Sequence, residues 1–253
     1  MAKSLSPLPP ILFEDEWLIA FDKPSGLLTV PDRWNKARAC LMGLIHQHLA
    51  PDICNVNRLD PEISGILLCA KQKSTLTALL KHFEARRGQK HFLALIGGAL
   101  PEPDMDIRRE LERDPGQPGR MRVAAAYRRG ACRTRAHAIE VFRAHSLIEA
   151  WPSTDKPHQV RVHLAHVNCP VIADSFYGNG HGLYLSAIKP GYRFKAGQPE
   201  RPLIGRVALH AESLTFTHPE TQAQVTITSP WPKDFAIAIK YLKKFAPSGA
   251  NPV

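Results

Sequence analysis

Short apolar runs separated by turn residues dominate the chain and predict a sheet with a few helices. The predicted strands cover residues 11–13, 17–21, 66–69, 90–96, 134–142, 146–151, 209–216 and 224–228. Apolar positions at helical spacing predict helices at 39–49, 74–86, 157–165 and 235–242. Strands outnumber helices and do not strictly alternate with them. The pattern therefore predicts an α+β fold with a largely antiparallel sheet.

Polar residues at two predicted helix starts give each helix an expected cap. Ser74 is the expected cap of the second helix. Thr154 or Asp155 is expected to cap the helix that begins at Pro157. We expect that third helix to carry His158 and Arg161 on one side, near its positive N-terminal end.

Two segments are rich in turn residues and predict loops. Residues 178–205 are rich in Gly, Pro and Lys, which favours a long loop. Residues 108–135 contain two Pro-Gly pairs, which predict a mobile surface excursion.

The 253 residues carry a net charge of +10, and much of the excess lies in one segment. Residues 108–135 contain nine arginines against three acidic side chains. Arginine makes bidentate phosphate contacts and stacks on bases, so this segment predicts an RNA partner, with Arg128 and Arg129 as candidate contacts. A solvated basic face without a partner is the alternative.

Nothing in the composition predicts a membrane, secreted or multidomain protein. No apolar run reaches membrane-spanning length, and the N-terminus lacks a signal-peptide core. Five widely spaced cysteines without a CxxC pair argue against disulfides and thiolate zinc. We expect a cytoplasmic monomer without an obligatory protein partner. A chain of 253 residues could form one large domain or two small ones, and we expect one domain over residues 11–246, between a flexible leader (1–10) and a flexible tail (247–253).

Several common catalytic centres lack sequence support. His158, His163 and His166 lie close together, but their spacing does not match the helical zinc motif. No phosphate-binding loop, dinucleotide fingerprint or serine elbow is present. Phosphoryl transfer, nicotinamide chemistry and serine hydrolysis are therefore disfavoured.

The stretch NVNRLDPEISGILLCA, residues 55–70, holds the remaining candidate. It predicts a loop with Arg58 and Asp60, a turn through Pro61, Ser64 and Gly65, and an apolar strand. A carboxylate beside a buried strand needs a cationic partner, for which Arg161 is the best-placed candidate. Asp60 would then be a nucleophile or a base, although an ordinary Asp-Pro turn explains the same residues.

Five blocks in register resemble the RluA-like pseudouridine synthases. Residues 55–70 resemble their HRLDxxTSG motif, and ILFEDEWLIAFDKPSGLLTVP resembles their N-terminal block. QKHFLALIGG resembles their KxYxA strand, and HQVRVHLAHVNCPVIADSFYG resembles HQIRxHLxxxGxPIxGDxxYG. LHAESLTFTHPET resembles their closing LHAxxLxFxHP hairpin. The blocks cover nearly the whole chain.

This resemblance implies one catalytic domain with a mixed sheet split by a basic cleft, and neither a metal nor an organic cofactor. It implies isomerisation of a uridine in ribosomal or transfer RNA to pseudouridine. Asp60 matches the catalytic aspartate, Arg161 its arginine partner, and Arg58 the arginine that fills the gap of a flipped uridine. Flipping is required because a stacked base hides its glycosidic bond. Further expected RNA contacts are Asn57, Lys90, His158 and Gln159.

The sequence departs from the family pattern at three places. Asn57 replaces a histidine, and Phe92 replaces a tyrosine whose hydroxyl is often proposed to help remove the ring proton. Residues 155–157, Asp-Lys-Pro, replace a Gly-Arg-Thr-like run. Phe92 would either stack on the base in the catalytic centre or simply pack in its strand.

These departures leave two further readings beside the active synthase. One is an RNA-binding paralogue with weak or no catalysis. The other is a carboxylate enzyme that does not act on nucleic acid.

Overall fold

A computed structural model describes residues 8–32, 35–125, 132–192 and 197–249. These residues form an α+β fold, as the sequence predicts. In chain order the elements are β1 (Ile11–Glu14), β2 (Leu18–Lys23), α1 (Leu41–His48), β3 (Cys54–Asn55), β4 (Ser64–Ala70), α2 (Lys73–Glu84), β5 (Gln89–Gly97), β6 (Asp104–Arg108), β7 (Leu111–Arg113), β8 (Met121–Val123), β9 (Arg133–Val141), β10 (His145–Pro152), α3 (Gln159–His166), α4 (Leu185–Ile188), β11 (Leu209–Thr217), β12 (Gln224–Thr228) and α5 (Lys233–Phe245).

The chain divides into two compact units. Unit 1 comprises residues 1–90 and 211–230, and unit 2 comprises residues 91–210 and 231–253. β5 and β11 each contain a boundary between the units. The expected single catalytic domain, its leader and its tail stay predictions.

Unit 1 is a sheet with a helix on each face. Its strands follow the order β1, β2, β4 and β11, with β12 paired to β11 and β3 to β4. On one face Leu68 of β4 joins a buried cluster with Leu79 of α2. On the other face Leu67 joins a cluster with Leu41 and Ile45 of α1. Because both faces are buried, β4 is a continuous apolar run rather than an alternating one.

Gly65 explains why the motif needs a small residue at the start of β4. Its φ is +117°, and a Cβ there would lie 2.2 Å from the carbonyl oxygen of Ala211 in β11. Only glycine fits a backbone approach this close. Ser64 and Gly65 are part of the strand, so the predicted turn through them is wrong.

Unit 2 contains the order β5, β10, β9 and β6, in antiparallel pairs. β7 and β8 form a separate hairpin. The predicted excursion over 108–135 therefore contains two short strands in its described part, and its mobility stays a prediction. Ion pairs join Arg108 and Arg133 to Asp106, and Arg122 to Glu112. Arg128 and Arg129 lie outside the described residues.

Two helix caps differ from prediction. α2 begins one residue earlier than Ser74, with Gln72 at the cap position. α3 follows His158, which has a left-handed φ of 56° and makes no side-chain capping bond. Thr154 instead donates its hydroxyl to the side chain of Gln159. The loop predicted at 178–205 contains the single-turn α4 in its described part.

Candidate active site

The segment that carries Asp60 is a loop over residues 56–63, named here the Asp60 loop. The buried Thr29 holds its centre. The Thr29 hydroxyl donates to the carbonyl of Leu59 at 2.8 Å and accepts from the N–H of Leu59 at 3.2 Å. Thr29 is itself fixed because its carbonyl accepts from the N–H of Met42 at the start of α1. One hydroxyl thus fixes both backbone groups of the residue between Arg58 and Asp60.

Lys23 is a buried cation that ties the Asp60 loop to the turn after β2. Its side chain is completely buried. The ammonium donates to the carbonyls of Pro24 at 3.0 Å, Leu27 at 2.7 Å and Pro61 at 3.3 Å. A buried charge is tolerated only when its donors are satisfied, and carbonyl oxygens satisfy them here. Lys23 therefore draws together two segments that lie 38 residues apart.

The same turn holds the Asp60 loop through two more carbonyl contacts. The N–H of Gly26 donates to Pro61 at 2.7 Å, and the Ser25 hydroxyl donates to Glu62 at 2.7 Å. The N–H of Ile63 closes a turn on the carbonyl of Asp60 at 3.1 Å. The Asp60 backbone is therefore fixed from both sides.

Asn57 has a structural role that the sequence prediction missed. Its amide nitrogen donates to the carbonyl of Ile66 at 3.0 Å, and its amide oxygen accepts from the N–H of Leu68 at 2.8 Å. The side chain therefore bonds to β4 as a neighbouring strand would. The RNA contact expected of Asn57 stays a prediction.

The two charged side chains of the loop differ in exposure. Arg58 is exposed, Leu59 is buried and Asp60 is half-buried. In the described part of the chain, no hydrogen bond or ion pair engages the Arg58 side chain. A planar cation held at the surface suits contact with phosphates or bases.

In unit 2, Arg161 forms a buried fork with Asp174. Its Nε and Nη2 lie 2.7 Å and 2.8 Å from the two carboxylate oxygens, and the side chains are 3% and 0% exposed. Burial acts to raise the pKa of Asp174, but the hydrogen bonds and charge of Arg161 outweigh it and lower that pKa. The pair is therefore fully charged. Arg161 has five N–H donors, so this fork accounts for only part of its capacity.

Aromatic rings surround the guanidinium of Arg161. Its central carbon lies 5.5 Å from the ring of Phe176 and 5.2 Å from that of Tyr177. The Tyr177 hydroxyl accepts from the N–H of Met121 at 2.9 Å and lies 2.6 Å from Nδ1 of His158. The Tyr177 hydroxyl therefore links the backbone of Met121 to the ring of His158. His158 and Arg161 contact the same two rings, but His158 precedes α3 and does not lie on it as predicted.

The remaining predicted site residues have mixed surroundings. Lys90 lies over the ring of Phe83 at 4.9 Å, and Phe92 is a half-buried residue of β5 opposite Ala150. Gln159 is 4% exposed. Its amide bonds to backbone and side-chain groups of Arg133, Thr134, Thr154 and Lys156. The RNA contact predicted for Gln159 stays a prediction, while the structure shows its amide bonded to internal partners.

Sequence reasoning overlooked three residues that shape these sites. Lys23 and Thr29 lie in the N-terminal block ILFEDEWLIAFDKPSGLLTVP, where the sequence does not mark them. Only their burial in the structure distinguishes them. Asp174 stands at the aspartate of the GDxxYG pattern, a signal that was present but not assigned a partner.

The described residues contain no group of three or more His, Cys, Asp or Glu side chains arranged to hold a metal ion. Their helices include none that is both long and apolar enough to cross a bilayer.

Comparison with known proteins bears on the loop and on α3 together. The family model described as RNA pseudouridylate synthase matches residues 17–166, which include Asp60 and Arg161. The chain belongs to the RNA pseudouridylate synthase family. This confirms the resemblance stated from the sequence, and with it the enzyme class, an RNA pseudouridine synthase and thus an isomerase.

This chain is similar to several proteins named ribosomal large subunit pseudouridine synthases. It is 31% identical to ribosomal large subunit pseudouridine synthase D of Xylella fastidiosa, over 92% of this chain and 69% of the relative. It is 30% identical to synthase D of Neisseria meningitidis serogroup B over 92% of this chain. That match spans 61% of the relative, less than two thirds of its length. Synthase C of Yersinia pestis is 31% identical, over 93% of this chain and 70% of the relative.

Solved structures support the fold of the synthase. Human RNA pseudouridylate synthase domain containing 1 matches with a TM-score of 0.66 and 22% identity, over 92% of this chain and 87% of the other. Human RNA pseudouridylate synthase domain containing 4 gives a TM-score of 0.64 at 20% identity, over 92% of both chains. At such identities the likeness concerns the fold alone.

Proposed function

We propose that this chain isomerises a specific uridine of structured RNA to pseudouridine without a cofactor, with Asp60 as the catalytic carboxylate. The observation that carries the proposal is the anchoring of the Asp60 loop within a chain of this family. Thr29, Lys23 and Gly26 fix its backbone. When a reacting group is already held in place, less of the substrate's binding energy is needed to order that group.

In this mechanism the target uridine leaves its stack so that Asp60 can reach the ribose or the base. Arg58 occupies the gap that the base leaves, for which its exposure and planar cation are suited. The pairing of Arg161 with Asp60 that the resemblance implies stays a prediction. We also propose monomeric action in the cytoplasm.

Ribosomal large-subunit RNA is the first substrate to test, because the named relatives act there; transfer RNA is the second. The wild-type protein and Asp60→Asn are incubated with both RNAs, and pseudouridine is mapped chemically. We expect product from the wild type and a loss of at least 100-fold in Asp60→Asn, the scale of a removed catalytic group. Asp52→Asn, at an exposed aspartate just before β3, is the matched control and should retain activity. Full activity in Asp60→Asn, or no product from any RNA, would refute the proposal.

Phe92 supports one alternative, an RNA-binding paralogue with little catalysis, because it supplies no hydroxyl. Phe92→Tyr separates the two functions. A gain from no activity to measurable activity favours the paralogue, whereas a change within severalfold favours the active enzyme. Asn57→His is a poor discriminator, because it would also disturb the two bonds that Asn57 makes to β4.

A further inference from the structure

Unit 1 contains a groove that the proposed mechanism does not use. It has a volume of about 360 Å³ and lies between the last turns of α2 and the turn that joins β11 to β12. α2 and its C-terminal extension contribute Lys81, His82 and Arg87, and the other wall includes Thr217 and Gln222. We call it the α2 groove. None of these residues belongs to the Asp60 loop or to its anchors.

The positive charge at the α2 groove is not balanced by ion pairs. Residues 81–90 contain the cations Lys81, Arg86, Arg87 and Lys90 and a single acidic side chain, Glu84. Among the described residues no carboxylate pairs with Lys81, Arg86 or Arg87, and all three are exposed. The Arg-rich strands of unit 2 differ, since several of their arginines pair with acids. Unpaired cations keep their full attraction for an external polyanion.

Backbone geometry and packing on Phe83 shape the segment that follows α2 and carries three of these cations. Arg86 adopts a left-handed φ of 58°, which ends the helix and reverses the chain. Gly88 then packs on Phe83 so closely that a Cβ would lie 2.3 Å from the ring. Lys90 lies over the same ring at 4.9 Å. The segment after α2 is therefore folded back rather than extended.

His82 adds a neutral donor to the cations. Burial, followed by the nearby charge of Arg87, lowers the pKa of His82, so the ring is neutral near pH 7. Its Nε2 accepts from the N–H of Thr217 at 3.4 Å, which leaves the proton on Nδ1. A neutral N–H beside Lys81 and Arg87 suits an anionic oxygen.

We propose that the α2 groove binds the phosphodiester backbone of the RNA substrate, through residues outside the Asp60 loop. This inference rests on the proposed RNA-modifying function. Lys81 and Arg87 would each contact a phosphate, while Thr217 and Gln222 supply uncharged partners. Such contacts fix the position of an RNA without reading its sequence. The groove would thus help to hold structured RNA while the target uridine is flipped.

The test compares two double variants with equal loss of charge. Lys81→Ala/Arg87→Ala removes the groove cations, and Lys233→Ala/Lys240→Ala removes two exposed lysines of α5. Each phosphate contact adds roughly 0.7–0.9 to the slope of log affinity against log salt. Between 50 and 200 mM salt, the affinity of both proteins for RNA falls, and the fold-loss of the groove variant should therefore be roughly tenfold smaller than that of the wild type. Its KM for RNA should rise severalfold with little change in kcat, and the control should match the wild type.

Chemical footprinting gives a readout that does not depend on a variant. With RNA bound to the wild-type protein, Lys81 should be protected severalfold from acetylation and Lys240 should not. Equal salt slopes in the groove variant and the wild type, or equal acetylation of Lys81 with and without RNA, would overturn the inference. If either contradicting result is found but the wild type still forms pseudouridine, only the groove assignment fails. If the wild type neither binds nor modifies RNA, the proposed function fails as well.

Discussion

Replacing Asp174 with asparagine is expected to lower the free energy of unfolding by roughly 3–5 kcal/mol, the cost of breaking a buried ion pair. The carboxylate accepts from Nε and Nη2 of Arg161 and from the N–H groups of Phe176 and Tyr177. Asparagine keeps the shape but replaces one acceptor with a donor. In either amide orientation an N–H group would face another N–H donor, and Arg161 would lose its counter-charge while buried.

A second Arg–Asp fork in unit 2 provides the control. Arg206 and Asp234 meet with the same two-point geometry, at 2.7 Å and 3.0 Å, but their side chains are 16% and 35% exposed. Solvent screens such a pair, so Asp234→Asn should cost about 1 kcal/mol or less. The two variants share a substitution and a two-point arginine contact. Asp174 differs in its burial and in accepting from two backbone N–H groups, whereas Asp234 accepts from the N–H of Phe235.

Urea and thermal unfolding of both variants measure the difference. For a protein of this size each kcal/mol shifts Tm by about 2–4 °C, so Asp174→Asn should lower Tm by roughly 6–20 °C. The lowered pKa means that the Asp174 carboxylate stabilises the fold above about pH 4 and that this stability is lost as the pH falls through the folded-state pKa. The gap between the wild type and Asp174→Asn should therefore narrow in acid. Equal losses in Asp174→Asn and Asp234→Asn would refute the reasoning from burial.

Two other perturbations test the anchoring of the loop and the interior of α3. Asn57→Ala removes two bonds to β4 and should cost roughly 2–5 kcal/mol, measured by urea unfolding; an unchanged midpoint would contradict the anchoring role. Burial is the main reason that the pKa of His163 is lowered to about 4. As the pH falls, the unfolded chain binds a proton at this side chain near pH 6.5, and the folded chain binds it only near pH 4. The free energy of unfolding should therefore decrease as the pH falls from 6.5 to 4. His163→Gln should flatten this dependence, and an unaltered pH profile would exclude His163 as its source.

Local pattern was enough for most of the fold. The long strands and α5 follow from apolar periodicity, because their buried faces repeat with the period of the element. Caps were harder. Ser74 has a favourable capping side chain, yet α2 begins at Lys73, and Gln72 at the cap position makes no side-chain capping bond. Most of a helix's stability in a protein comes from tertiary packing, here of Leu79 in the cluster with β4, which a local capping signal does not report.

The candidate site was predictable only in part. Asp60 and Arg161 follow from motifs that the family model also covers. The role of Lys23 does not, because a lysine after a strand is usually solvated and only the tertiary contacts show its burial. The burial of Gln159 was also not predictable from the local sequence. Its neighbour His158 lies beside Tyr177, but a left-handed residue rotates Gln159 into the interior.

The anchors of the Asp60 loop hold main-chain oxygens, those of Leu59, Pro61 and Glu62. Backbone atoms are the same for every amino acid, so these anchors place no demand on the exposed side chain of Arg58. For protein engineering, the loop is therefore a scaffold whose path is insulated from its surface chemistry. Position 58 can be randomised in search of new RNA preferences while the backbone that carries Asp60 stays in place.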